Sequence, residues 1–304
     1  MAKFLLILTL PALLILSTNT SSGEAPPNII LLYADDLGYT DLSCQGSDYY
    51  QTPNIDRLAK EGMTFTNAYA AAANCAPSRA SLMTGLYTPR HGVFTVGNSD
   101  RGKAAHRRLI PATNKTVLTR SLPTMAQVLK KAGYQTAVAG KWHLSDDPIP
   151  YGFDANFGGL KWGAPRSYFS PYRNPKLKDG PKGEHLPARL AQEICSWITL
   201  AQKKDNPFFV YFPFYSVHTP IQARPDLTER YAGRSGTHHK SAKYAAMIEA
   251  MDLGVGKILD LLDELEIAEN TVVVFTSDNG PHGAVSNAKP LRGSKGMFYE
   301  GGIR

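Results

Sequence analysis

The chain has 304 residues, 43% of them hydrophobic, which is enough to bury a substantial core in one large α/β domain. Three cysteines, Cys44, Cys75 and Cys195, are too few for a disulfide scaffold and odd in number, so at least one should be unpaired; whether Cys44 and Cys195 pair is a matter of geometry. The formal net charge of +7 suits an anionic substrate or surface, while no nucleic-acid motif accompanies it and nothing past the N-terminal segment resembles a membrane span.

Met1, Ala2 and Lys3 precede an almost unbroken apolar run from Phe4 to Leu16, followed by small polar residues through Gly23. One positive charge, a short apolar core and small residues make a secretory signal over residues 1–23. It predicts export to the periplasm or the extracellular space, without stable membrane insertion once it is removed. Residues 28–36 (NIILLYADD) read as a buried strand whose end carries two acids. Residues 52–62 form a helix, with Thr52 as cap, Pro53 in the first turn and Gly62 as stop. Residues 63–70 (MTFTNAYA) are expected as a strand leading into NCAPSRASLMTG, residues 74–85, where Cys75 stands at the mouth of a helix.

The basic run 101–108 (RGKAAHRR) by itself reads as a solvated loop. A helix over 122–134 and a strand over 135–143 (QTAVAGKWH) follow, the strand again with a polar end. Residues 151–187, rich in Gly, Pro and Lys, are expected as a long surface loop region bordering the substrate. A helix then contains Cys195 at a core position, and residues 207–218 (PFFVYFPFYSVH) make an apolar strand ending at a histidine. From Tyr244 to Leu265 apolar residues recur every three or four positions, predicting a long amphipathic helix. The series closes on the β-branched strand 271–280, ending in Asp-Asn-Gly.

Alternating strands and helices predict an α/β fold with a largely parallel central sheet covered by helices on both faces. In such sheets the functional crevice lies beyond the carboxyl ends of the strands. Four strands end in groups of chemical interest: Asp35 and Asp36, Lys141 and His143, His218, and Asp278 with Asn279. The oxygen ligands favour Ca²⁺ or Mg²⁺, and no HExxH or Cys/His cluster points to zinc. Singly, each group has a plainer reading: a turn for Asp-Asp or Asp-Asn-Gly, a hydrogen-bonded core residue for either histidine. By position Cys75 has two readings, a thiolate activated by the helix N-terminus or a small buried residue, and a third depends on the whole pattern.

Cys75, Pro77, Ser78, Arg79 and Ala80, followed by Thr84 and Gly85, resemble the signature of the type I sulfatases of the alkaline phosphatase superfamily. Residues 32–46 (LYADDLGYTDLSCQG), GKWH (140–143), TSDNG (276–280) and LRGSKGMFYEGGIR (291–304) are similar to further blocks of that family, in its order. The resemblance covers nearly all of residues 24–304 and implies a sulfatase catalytic domain there, on an alkaline phosphatase-like fold. It implies that Cys75 is oxidised by a maturation enzyme to formylglycine, whose hydrate attacks sulfur with one hydroxyl, displacing the alcohol. The second hydroxyl then loses its proton and expels sulfate, regenerating the aldehyde.

Carried over by motif, Asp35, Asp36, Asp278, Asn279 and modified Cys75 would hold the cation, Ca²⁺ with Mg²⁺ as the alternative. Arg79 would steady the hydrate, Lys141 and Lys295 would bind the sulfate oxygens, His143 would be the base, and His218, with Lys295, would protonate the leaving oxygen. Ser78 and His91 are supporting groups without roles. The implied activity is sulfuric ester hydrolysis of a sulfated carbohydrate or aryl sulfate. The rivals are a phosphonate or phosphate ester hydrolase of the same superfamily and an inactive glycan-binding pseudoenzyme. Members of the family continue past the Gly-Gly-Ile-Arg block into a further strand and a C-terminal subdomain. The expectation here is either a fragment of a longer open reading frame or a naturally shortened form, which expressed alone is poorly soluble or weakly active.

Overall fold

The computed structural model describes residues 25–100 and 102–304; the expected signal segment and Arg101 of the basic run lie outside the described residues. The core strand β1 (Asn28–Ala34) leads to α1 (Pro53–Glu61), α2 (Cys75–Thr84), α3 (Thr88–His91) and α4 (Met125–Lys131). Then come β2 (Gln135–Ala139), β3 (Ala155–Phe157), α5 (Leu186–Ala201), β4 (Phe208–Pro213) and α6 (Pro225–Glu229). The long α7 (Ala242–Glu264), β5 (Thr271–Ser277) and α8 (Glu300–Ile303) complete the order.

The five strands form one sheet in the order β3-β2-β4-β1-β5, and every neighbouring pair is parallel. Alternate side chains enter two cores, because successive residues of a strand point to opposite faces. Ile30, Leu32, Val210 and Phe212 pack with α5 and α7; Leu31, Tyr33, Phe209 and Tyr211 pack with Ala76, Ala80 and Met83 of α2 and Ala126 of α4. Burial on both faces is why β1 and β4 are continuously apolar rather than alternating.

Local chemistry sets the helix ends unequally. Thr124 and Gln127 form a reciprocal capping box on α4, and Gly85, at φ 67°, closes α2 in the left-handed conformation. Thr52 does not cap α1. Its first free N–H groups are accepted by Asp252 of α7, from Asn54 N at 3.1 Å and Ile55 N at 2.8 Å, so this cap is a tertiary contact.

Three expectations need correction. Residues 63–70 are not a strand: among the described residues no strand lies opposite them, and Met63 and Phe65 are 79% and 73% exposed. The loop region 151–187 contains β3, which pairs with β2 after Asp154 accepts from Thr136 N. The strands are also shorter than their apolar runs suggested. Asp35–Asp36, Lys141–His143, His218 and Asp278–Asn279 all lie beyond the ladder, free to turn toward one another.

Candidate active site

The carboxyl ends of β1, β2, β4 and β5 meet the N-terminus of α2. Beyond β1 the chain is tied to its neighbours: Asp35 N donates to Ser216 O at 2.9 Å and Val217 N to Asp35 O at 2.7 Å. From β5, Asp278 N donates to Ala34 O, and Asp278 Oδ1 accepts from Asp36 N at 3.1 Å. Asn279 Nδ2 donates to Asp36 Oδ1 at 2.8 Å. Beyond β2, Gly140 has φ 109°, and a Cβ there would stand 2.0 Å from Pro213 O; only glycine lets the two backbones approach and aim Lys141 inward. Asp36 and His143 both have φ 61°, a left-handed conformation costly for non-glycine residues, and both carry site side chains.

Donor atoms of Asp35, Asp36, Cys75 and Asp278 all lie within 4.8 Å of one another, and a second such group joins His218 to Asp36 and Cys75. The Cys75 thiol points to Asp36 Oδ1 at 3.8 Å. Cations interleave with these acids. Lys141 Nζ is 2.6 Å from Asp35 Oδ2, and Lys295 Nζ is 2.7 Å from Asp36 Oδ2. Arg79 donates to Asp278 Oδ2 from Nε and Nη2, at 3.1 and 2.8 Å, and to Lys141 O at 2.7 Å. Lys295 is carried by the loop after β5, where its N–H donates to Pro281 O and the next N–H to Ala73 O beside Cys75. His218 Nδ1 donates to Thr219 O at 2.7 Å, leaving Nε2 toward Asp36 Oδ2 at 3.6 Å.

The burial of so many charges sets their protonation. Burial first, then the neighbouring carboxylates, pushes the Cys75 thiol far up, so the activated-thiolate reading does not hold. Against its own desolvation, Asp278 is held low by Arg79 and Lys141, whereas burial lifts Asp35. Burial, then Lys141, holds His143 well below its ordinary value and likewise depresses His218, so both imidazoles are neutral near pH 7. Lys295 is raised, the cost of its burial being outweighed by the carboxylates of Asp36 and Asp35.

The donor set fits a divalent cation. It is carboxylate and amide oxygen, and two of its atoms, Asp35 Oδ1 and Asn279 Oδ1, are buried without any hydrogen-bond partner. Arg79 Nη2 stands 3.6 Å from Asp35 Oδ1, beyond hydrogen-bond distance, and a cation would supply the close contact that both oxygens lack.

A family model described as Sulfatase matches residues 27–304. The chain belongs to the sulfatase family. A sulfatase of Formosa agariphila is 35% identical over 98% of this chain and 65% of its own length. The N-acetylgalactosamine-6-sulfatase of Homo sapiens is 35% identical over 93% of this chain and 56% of its own length. This sulfatase-family chain thus spans roughly six-tenths of the curated relatives it matches. Its fold is that of the alkaline phosphatase-like sulfatases: the crystal structure of Ps i-CgsB in complex with k-i-k-neocarrahexaose superposes with a TM-score of 0.78 at 33% identity, over 92% of this chain and 64% of that one. The phosphonate monoester hydrolase of Agrobacterium radiobacter, at 20% identity and a TM-score of 0.65, shares the fold.

The ten candidate residues, Asp35, Asp36, Cys75, Arg79, Lys141, His143, His218, Asp278, Asn279 and Lys295, lie together at this end of the sheet. His91 does not join them: Ser81 Oγ and Val93 N occupy its two ring nitrogens. Ser78 bonds the Tyr33 hydroxyl at 3.0 Å, under the Arg79 guanidinium that lies 5.2 Å from the Tyr33 ring. Two supports escaped sequence reasoning. Ser277 Oγ accepts from Leu37 N and donates to Asn279 O, and Asp41 accepts from Gly38 N, Tyr244 Oη and Ser286 Oγ. Their signal was present, since Ser277 and Asp41 flank the Asp-Asn and Asp-Asp pairs, but nothing local marks a serine or aspartate as a brace. Cys44, Cys75 and Cys195 are all free thiols, so Cys44 and Cys195 do not pair. Among the described residues no helix is long and apolar enough to cross a membrane.

Proposed function

We propose that residues 24–304 are the catalytic domain of a sulfuric ester hydrolase acting on a sulfated carbohydrate or aryl sulfate. Cys75 is converted by a maturation enzyme to formylglycine, and Ca²⁺, or Mg²⁺ in its place, is held by Asp35, Asp36, Asp278, Asn279 and residue 75. The Cys75 thiol stands where an oxygen of the aldehyde hydrate would lie, 3.8 Å from Asp36 Oδ1. Export through residues 1–23 belongs to the same reading. The observation that carries it is the ring of three acids, three cations and two histidines around one buried cysteine whose own thiol is held protonated.

The cation supplies Lewis acidity at the reacting oxygen. The chain's own groups do the rest. Lys141 and Lys295, ion-paired to Asp35 and Asp36, are the charges that a cation would release toward the non-bridging oxygens of an anionic ester. Arg79 holds Asp278 and the Lys141 carbonyl in one geometry, so the base of the site does not move as charge changes. Neutral His143, whose buried Nδ1 has no partner, accepts a proton. His218 carries a proton to the leaving oxygen only once it is charged. A bound sulfate ester opposes the depressing influence of Lys141 and Lys295, and Lys295 itself stays protonated. A sulfated carbohydrate is supported by the relatives, which include N-acetylgalactosamine-6-sulfatases and a sulfatase-fold structure in complex with neocarrahexaose.

Mass spectrometry of the peptide spanning Cys75, from protein made with a maturation enzyme, is expected to show the aldehyde mass. That protein should release sulfate in preference to phosphate, and Cys75→Ala should fall to background. Full activity with an intact thiol, or phosphate ester turnover exceeding sulfate turnover, refutes the proposal.

A further inference from the structure

The segment 160–168 runs from one site histidine to the other. At its start Leu160 O accepts from His143 N at 2.8 Å, and a Cβ on Gly163 would lie 3.0 Å from both Cε1 and Nε2 of His143. At its end the Tyr168 hydroxyl reaches the carbonyls of Tyr215 and His218, at 2.5 and 2.8 Å. Between these anchors the Arg166 guanidinium is layered over the half-buried Trp162 ring, 4.4 Å from its centroid. Arg166 is exposed, and among the described residues no carboxylate forms an ion pair with it, whereas its neighbour Lys161 is paired to Asp146 at 2.9 Å.

A guanidinium held over an indole is partly ordered in advance by the ring, and so loses less freedom when its N–H donors bond a planar or tetrahedral oxyanion. Lys141 and Lys295 already answer the charge of the reacting sulfate, so an additional cation on the segment between the two histidines is free to answer a second one. We propose that Trp162 and Arg166 form a leaving-group subsite that recognises a second anionic substituent, a sulfate ester or carboxylate, on the sugar being released. The substrate class is then a glycan with at least two negative groups, one cleaved between the histidines and one held by Arg166. The inference rests on the sulfatase reading above for the first of these groups.

The test uses the aldehyde-bearing, cation-loaded protein turning over 4-nitrophenyl sulfate, with galactose monosulfate and galactose disulfate as competitors. Charge-assisted bonds of this kind predict that the disulfate inhibits about tenfold or more tightly than the monosulfate. Arg166→Ala is expected to bring that ratio close to one, Arg166→Lys to recover part of it, and Arg166→Glu to invert it. Equal inhibition by both sugars in the unsubstituted protein overturns the proposal, as does a loss in Arg166→Ala that falls equally on both, which is the behaviour of a brace for the loop. If the unsubstituted protein releases sulfate from neither the aryl sulfate nor the sugar sulfates, the sulfatase reading fails. The subsite is then read by calorimetry: tighter disulfate binding lost in Arg166→Ala sustains it, and equal binding of the two sugars removes it.

Discussion

At Cys75 two electrostatic influences oppose each other. The N-terminus of α2 favours a thiolate, by an amount typically below about 2 kcal/mol. Full burial beside Asp35, Asp36 and Asp278 disfavours it by more, so the thiol remains protonated and the sulfur is no nucleophile as it stands. His218 poses the complementary case, a group that burial and Lys141 keep neutral until negative charge arrives. Its proposed role depends on the alcohol it serves. His218→Ala is expected to lower kcat/KM for a sugar sulfate by about 10²- to 10⁴-fold and for 4-nitrophenyl sulfate far less, because nitrophenolate leaves without a proton. Losses of equal size on the two substrates would remove His218 from that role. The residue types at both positions were legible in the sequence, but their protonation was not, since it depends on charges brought in from other strands.

Between elements, Asp41 acts as a junction. Fully buried, it accepts from Gly38 N behind the Asp35–Asp36 turn, from Tyr244 of α7 and from Ser286 in the loop after β5. Tyr244 Oη also lies 3.3 Å from Asp36 O, so one buried network supports the turn that carries two site acids. Burial pushes the Asp41 carboxyl up to about 6, while an unfolded aspartate titrates near ~4. Between those values the folded chain binds more protons than the unfolded one. The contribution of Asp41 to stability is therefore full below about pH 4 and lost as pH rises through about 6. In urea melts the stability of the unsubstituted chain relative to Asp41→Asn is expected to fall by roughly 2–3 kcal/mol from pH 4 to pH 7. A difference that stays level across that range contradicts this. At this scale the periodic elements were readable and their supports were not: the cap of α1 comes from Asp252, 197 residues away from the Ile55 N–H that it accepts.

For the whole molecule, the open side of the sheet has consequences. Among the described residues β5 pairs only with β1, and Val272 and Val274 are 48% and 42% exposed on the face they share with Ile29 and Leu31. A groove beside β5 is lined by Met63, Phe65, Val273 and Phe275. An unpaired, β-branched edge next to an apolar groove favours strand-to-strand association. Residues 24–304 made alone are expected to self-associate with rising concentration in light scattering, and Val272→Lys with Val274→Lys to reduce it. A monodisperse monomer at all concentrations would show that the edge is harmless. Residues 63–70 do not form the expected strand, since an extended segment becomes one only when another strand lies opposite, and among the described residues none does. What the amino-acid order determined by itself was local: buried apolar runs, helix periods, and polar residues stationed at four strand ends, which sufficed for the fold class and for naming the groups that the sheet gathers at one end. Only the tertiary structure decided which charges meet, which oxygens stay unpartnered, which imidazoles are neutral and that segment 160–168 bridges the two histidines. These depend on desolvation and on distances such as that from Asp36 to Asp278, 242 positions apart, and no local window contains both ends of such a contact.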